Sequence, residues 1–246
     1  MPRLIEIPLT LPQGENLHEC IGSCLHGVLM EIVDNNIADL LHSQGLRPYI
    51  QSLIYDKYQP IWRLGVLMPE IEDAIFDGIL KNKNIFIKNR GFSITLGTPL
   101  IRRSESYNKL INEISNAPVP NGARFDFLTT TSFKSNNNYL IWPDLRLIWQ
   151  SIIKKWNTFS YQSLEDGMAF ALVQFTEIQE YDLRSKHFSV SGHQIPGFYG
   201  KIKISFKGNQ QANSLLGMLT KFATFSGVGI KNALGMGATS TQLLFP

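Results

Sequence analysis

Residues 183–246 contain no aspartate or glutamate. They do carry seven basic side chains, Arg184, Lys186, Lys201, Lys203, Lys207, Lys221 and Lys231, so the formal net charge of +3 over 246 residues hides an asymmetry: the preceding part of the chain is net negative. A field polarised in this way favours a polyanion such as nucleic acid over a small neutral substrate, the plain alternative being a solvated basic face. Cysteine is scarce as well. Cys20 and Cys24 are the only two, too few for a disulfide framework. The apolar runs fall far short of a membrane span, and no cationic, apolar leader precedes the first strand. These features read as a soluble cytoplasmic protein with no membrane partner.

Two nucleotide signatures are also missing. No Gly-x-Gly-x-x-Gly follows a predicted strand, and no Gly-x-x-x-x-Gly-Lys-Ser/Thr occurs, so no nucleotide cofactor is expected. His18, Cys20, Cys24 and His26 invite a zinc reading. On a helix, however, the cysteines share a face at i and i+4 while each histidine is two residues out of phase, so the four do not converge on one ion. The expectation is no metal and no cofactor.

With 43% hydrophobic and 17% charged residues, the chain can build a large core or two smaller ones. Residues 3–11 read as a half-buried strand. Leu17, Ile21, Cys24, Val28, Ile32, Ala38 and Leu41 follow helical spacing, as one helix or two short ones, stopped by a turn at His42-Ser43-Gln44-Gly45. Residues 52–58 and 61–67 read as strands, 69–80 as a helix opened by Pro69, and 84–100 as strand-like with breaks at Gly91 and Gly97. After a linking helix over 104–115 and a turn-rich stretch the order recurs. It runs strand 123–133, helix 143–156, strands 168–178 and 198–206, helix 211–225 and strand 239–245. The prediction is an α+β protein of two tandem ferredoxin-like (RRM-like, βαββαβ) domains, residues 1–118 and 119–246.

Between the last helix and the last strand lies Gly227-Val-Gly-Ile-Lys-Asn-Ala-Leu-Gly-Met-Gly237. Gly227, Gly229, Gly235 and Gly237 allow close approach of main-chain N–H groups to a phosphate, and Lys231 adds a charge. The bland alternative is a long turn ahead of an edge strand. Lys201 and Lys203 alternate along a predicted strand and share a face. Arg184, Lys186 and His193 flank them in a hairpin, a pattern suited to phosphate contacts. His187 and His193 read as RNA contacts or loop residues, and Phe198 and Tyr199 as stacking or, preferably, packing residues.

The stretch Leu215–Gly237, with Ala223, Ser226, Gly227, Gly229, Gly235 and Gly237 in an Ala-x-x-Ser-Gly-x-Gly then Gly-x-Gly arrangement, resembles the C-terminal signature of the CRISPR-associated precursor-RNA processing endoribonucleases. These are the sixth family of Cas proteins, within the RAMP superfamily. Arg124–Phe133 followed by Pro143-Asp144 and Leu147–Asn157 is similar to the strand and helix that open the family's second domain, Thr130-Thr131 standing where Pro-Thr is usual. The resemblance spans nearly the whole chain and implies tandem ferredoxin-like domains. It also implies metal-independent cleavage of CRISPR repeat transcripts within each repeat: 2′-hydroxyl attack leaves a 2′,3′-cyclic phosphate and a 5′-hydroxyl. The implied partners are CRISPR repeat RNA and other Cas proteins of an effector complex, with the chain a monomer or homodimer. A non-catalytic RAMP-type RNA-binding subunit is the alternative.

Such a reaction needs a base, an acid and positive charge, and histidine serves both proton roles near neutral pH. The segment Leu41-His-Ser-Gln-Gly-Leu-Arg-Pro-Tyr-Ile-Gln-Ser-Leu53 is similar to the family's stretch with a catalytic histidine. The resemblance therefore assigns His42 as general acid or base, His26 as its counterpart, Tyr49 as hydroxyl donor or positioner and Arg47 as a source of charge. His18 reads as a surface residue.

Overall fold

The computed structural model describes residues 1–42, 45–190 and 192–246. The turn expected at Ser43-Gln44 lies outside the described residues. The first lobe contains β1 (Arg3–Thr10), α1 (Gly22–Ile32), α2 (Asn35–His42), β2 (Tyr49–Asp56), β3 (Gln59–Val66), α3 (Glu72–Lys81), β4 (Asn84–Ile87), β5 (Phe92–Leu96) and β6 (Leu100–Ser104). Helix α4 (Tyr107–Asn116) leads to the second lobe: β7 (Gly122–Thr131), β8 (Phe133–Ser135), β9 (Asn138–Leu140), α5 (Leu145–Phe159), α6 (Met168–Val173), β10 (Thr176–Val190), β11 (His193–Phe206), α7 (Gln210–Ser226) and β12 (Thr239–Leu244).

In the first sheet the strands run β2-β3-β1, and β5 and β6 share the far edge of β1. In the second they run β10-β11-β7-β12. All pairings are antiparallel. With the split strand counted once, both sheets have the order 2-3-1-4. The fold is α+β with two tandem ferredoxin-like units. No helix is long and apolar enough to cross a membrane among the described residues.

Two expected segments are resolved into their elements, and one expectation needs correction. The helical pattern over 17–41 divides at extended Val33 into α1 and α2, preceded by a 3-10 turn at Glu19–Ile21 that carries Cys20. Residues 84–100 form the β4–β5 hairpin and then the start of β6, divided at the expected breaks Gly91 and Gly97. Residues 168–173 are helical rather than extended: Met-Ala-Phe-Ala-Leu-Val lacks alternation, is rich in helix formers, and buries only Leu172. Strand β10 therefore starts at Thr176 and pairs with β11 as one hairpin from Thr176↔Phe206 to Val190↔His193.

Each lobe has its own core. That of the first centres on Ile5, Ile7, Leu25, Leu29, Trp62 and Leu64; that of the second on Phe125, Ile148, Trp149, Ile152, Leu219 and Phe222. The tip of the β10–β11 hairpin adds a third cluster, in which Phe188, Val190, Ile195 and Met236 pack with Cys20 and Leu234.

Buried polar groups bolt the lobes together. Gln51 Nε2 donates to the carbonyls of Gly22 (2.5 Å) and Ala233 (2.9 Å), while its oxygen accepts from Trp62 Nε1 (3.0 Å). Arg63 Nη2 donates to the Thr239 carbonyl (3.1 Å), and the Glu19 carboxylate accepts from the N–H (3.1 Å) and hydroxyl (2.7 Å) of Thr130. Buried polar groups left unpaired are costly, so these bonds favour one mutual orientation of the lobes.

Candidate active site

Helix α1 buries Leu25, Val28 and Leu29 and leaves His26 on its flank. Helix α2 is anchored by fully buried Leu41, which sets the next residue, His42, beside α1. The rings of His26 and His42 lie 5.1 Å apart, centroid to centroid. From the start of β2, Tyr49 reaches back so that its hydroxyl lies 2.5 Å from His26 Nδ1. Residues 23 positions apart along the chain thus meet because α1 packs over the strand that opens the β2–β3 hairpin.

The setting controls protonation. Burial first, then the charges of Arg47 and His42, push His26 down from 6.5 to about 4, so the ring is neutral at pH 7. Burial raises the Tyr49 hydroxyl above its ordinary value despite Arg47, which keeps it a neutral donor and acceptor.

Tyr49 also lines a cleft of about 490 Å³ between the lobes. Its cations are Arg47 from the first lobe and Lys134, Lys154, Lys155 and Lys231 from the second, and no carboxylate is among the described residues lining it. This is where the structure concentrates unopposed positive charge.

Lys155 differs from the other four. It is 5% exposed and donates to the carbonyls of Ser226 (2.8 Å) and Gly227 (3.0 Å) and to Asn232 Oδ1 (2.6 Å). Burial pushes it down to about 7. Three oxygen acceptors match the three donors of an ammonium, and two of them are the carbonyls at the negative end of α7, so these contacts counter that shift. Lys155 ties α7 to the glycine loop, with Asn232 Nδ2 completing the knot through Val228 and Met236 carbonyls.

The glycine loop is mostly interior. Gly227, Gly235 and Gly237 are buried, while Gly229 is half-buried and Lys231 exposed. A Cβ on Gly237 would lie 2.0 Å from the Val228 carbonyl oxygen, and the neighbouring turn presses Leu234 against Gly22 of α1. The open phosphate cradle expected of this loop is therefore corrected: Gly227 and Gly237 serve close packing within the loop, and Gly235 packs against Gly22 and Glu19 of the first lobe. Gly229 and Lys231 reach the cleft.

The expected unopposed charge of residues 183–246 is corrected too. Four of their seven cations meet carboxylates from earlier in the chain: Lys186 with Glu19 (2.9 Å), Lys203 with Glu180 (2.9 Å), Lys221 with Glu113 (2.7 Å), and Lys207 with Glu177. Antiparallel pairing brings the acidic strand β10 alongside β11, setting Lys201 opposite both Asp182 and Asp126. Arg184 and His193 are exposed on the hairpin, as is His187. Phe198 is buried, and Tyr199 packs under Lys186. His42, His26, Tyr49, Arg47, Gly229 and Lys231 are thus brought to one region. Arg184, Lys186, His193, Lys201 and Lys203 lie on a separate hairpin.

Lys134, Gln150, Ser151 and Lys154 are site residues that sequence reasoning missed. A signal was present in α5, where Arg146, Gln150 and Lys154 recur every four residues opposite the apolar stripe, a polar face worth reading for ligands.

The fold and this carboxylate-free cleft together define a tandem ferredoxin-like protein with a cationic cleft between its two lobes. Residues 125–239 match the family described as CRISPR-associated endoribonuclease Cas6. The chain is 31% identical over 221 residues to the CRISPR-associated endoribonuclease Cas6 of Streptococcus thermophilus, covering 88% of this chain and 89% of that one. It is 31% identical over 231 residues to that of Mycobacterium tuberculosis, covering 92% of this chain and 73% of the relative. Among solved structures, a Cas6 product complex superposes with a TM-score of 0.82 at 24% identity, over 98% of this chain and 100% of the other. The chain belongs to the Cas6 family of CRISPR-associated endoribonucleases.

Proposed function

We propose that this protein cleaves CRISPR repeat transcripts once per repeat without a metal ion, residues 1–118 supplying the proton-transfer groups and residues 119–246 most of the RNA contacts. The observation that carries this reading is the His26–Tyr49–His42 cluster, joined through Tyr49 to the lining of a cationic cleft. In the reaction a base takes the proton of the 2′-hydroxyl, its oxygen bonds to phosphorus, and the bond from phosphorus to the 5′-oxygen breaks as an acid protonates that oxygen. The products are a 2′,3′-cyclic phosphate and a 5′-hydroxyl.

His26 is neutral at pH 7 and so suits the base. In that role Nδ1–H donates to the oxygen of buried Tyr49, which positions the ring and leaves the Nε2 lone pair free. His42, exposed at the end of α2, then takes the acid role. Charge developing on the non-bridging oxygens is met by Arg47 and Lys231. Gly227, Gly235 and Gly237 hold the loop that presents Gly229 and Lys231, and Arg184, His193, Lys201 and, more weakly, the paired Lys186 and Lys203 extend the contact surface along the hairpin.

The test is incubation of purified protein with end-labelled CRISPR repeat RNA in excess EDTA. A single cut with a cyclic phosphate end, abolished by a 2′-deoxy substitution at the cut site, is expected. Multiple cuts, or a requirement for added magnesium, would overturn the mechanism. Tight binding with no cleavage would make the protein a non-catalytic RNA-binding subunit.

A further inference from the structure

Beyond the cleft, three aromatic groups of the second lobe stand in solvent. Trp142 (51% exposed) and Tyr181 (64% exposed) meet edge to face at 5.3 Å. Phe170 (61% exposed) lies under the Arg146 guanidinium at 5.5 Å, and Tyr139 lies under Lys134 Nζ at 6.0 Å. Folding does not require this exposure. Large aromatic side chains grouped on a surface mark a contact site, and here two of the three groups carry a cation.

The placement is continuous with the active-site cleft. Lys134 lines that cleft and covers Tyr139. On α5, Gln150 and Lys154 face both the cleft and a second hollow of about 380 Å³, whose other wall holds Arg146 and Phe170. The next residues toward the start of α5 lead back to Trp142. Glu165 and Asp166 close the far side of this hollow, so a phosphate backbone would follow the Arg146–Lys154 side.

We infer that Tyr139, Trp142, Phe170 and Tyr181, interleaved with Lys134 and Arg146, form a stacking track for unpaired RNA nucleotides that leave the cleft beside the cut. Stacked bases need flat apolar faces at intervals with cations between them for the phosphates, and this is the chemistry presented. Continuity with the cationic cleft through Lys134, Gln150 and Lys154 favours RNA over a protein partner. The inference rests on the reading of this protein as an RNA-binding nuclease.

The experiment compares wild-type protein with the double variant Trp142→Ala/Tyr181→Ala. The probes are a short fluorescein-labelled oligouridine, which forms no duplex, and repeat RNA with and without its single-stranded flank. The double variant is expected to bind oligouridine and flanked repeat about tenfold more weakly, with the melting temperature unchanged because both side chains are exposed. Trp142→Phe/Tyr181→Phe should restore most of the affinity, since a phenyl face still stacks. Wild-type affinity in the alanine variant for both probes overturns the track while leaving the nuclease reading intact. Unchanged RNA affinity with loss of a protein partner overturns it in favour of protein docking. If wild-type protein binds neither probe, the RNA reading fails first and the track with it.

Discussion

The Nδ1 atom of His26 lies 2.5 Å from the Tyr49 hydroxyl oxygen, joining the flank of α1 to the first residue of β2. The contact couples a depressed histidine to a hydroxyl that stays neutral, and the His42 ring stands 5.1 Å from the same histidine.

Replacing His42 or His26 by alanine should slow single-turnover cleavage by about 10²- to 10⁴-fold, the range for loss of a general acid or base. Binding of repeat RNA should change little. Tyr49→Phe should give a smaller loss, because it removes a hydrogen bond and not a proton carrier. Filter binding alongside gel-resolved cleavage checks all three, and normal cutting by both histidine variants would refute the assignment.

The pH dependence has a defined sign. With His26 held at about 4, the base stays deprotonated through mildly acidic conditions, so the acid limb of the cleavage profile should fall near pH 4 rather than near 6.5. Burial is the main cause and Arg47 the next, so Arg47→Met should move that limb upward. Stability responds as well. Between pH 6.5 and 4 the unfolded chain protonates this histidine and the native one does not, so the group lowers stability as pH falls through that window and has no such effect above it. Profiles of wild type and Arg47→Met in one buffer series decide the point.

Lys155→Met should destabilise the protein by about 2–4 kcal/mol, since it strands the Ser226 and Gly227 carbonyls and Asn232 Oδ1 without their buried donor. Urea unfolding measures this directly. A change near zero would mean that water or a rearranged loop satisfies those oxygens.

Two glycines should behave oppositely. Gly237→Ala places a Cβ against the Val228 carbonyl at φ +71°, and should cost about 2 kcal/mol or more in thermal unfolding. Gly27, exposed within α1, has nothing within 4 Å of an added Cβ, so Gly27→Ala should stabilise by up to about 1 kcal/mol.

Salt dependence should separate the cleft from the hairpin. Lys134→Gln, Lys154→Gln and Lys231→Gln should each reduce the slope of log affinity against log salt by up to about 0.7 on single-stranded RNA. Lys203→Gln should reduce it less, because Lys203 already has a partner in Glu180. Equal reductions for the two groups would mean that the RNA contacts hairpin and cleft alike, against a cleft-centred path.

Much of this was legible in the chain. Periodicity over residues 3–67 and 123–245 marks the repeated order of strands and helices, because alternation and helical spacing are local consequences of which face is buried. The apolar stripe of Leu215, Leu219 and Phe222 and the glycines after it mark the last helix and its tight exit. Met168–Val173 misled because an unbroken apolar run fits strand and helix alike, and only packing of Leu172 on the second core distinguishes them.

Linear sequence determined the element types outside residues 168–173, the histidine–tyrosine candidates and an acid-free C-terminal quarter. Tertiary structure decided where charge is free. Antiparallel pairing of β10 with β11 neutralises Lys203 and Lys207 against Glu180 and Glu177, and docking of the lobes gives Lys186 to Glu19. The same docking turns most of the glycine loop inward and leaves Lys231 facing Arg47 and Tyr49 across one cleft. Coulomb interactions depend on distance in space, and residues far apart in sequence become neighbours only when the sheets form and the lobes close on one another.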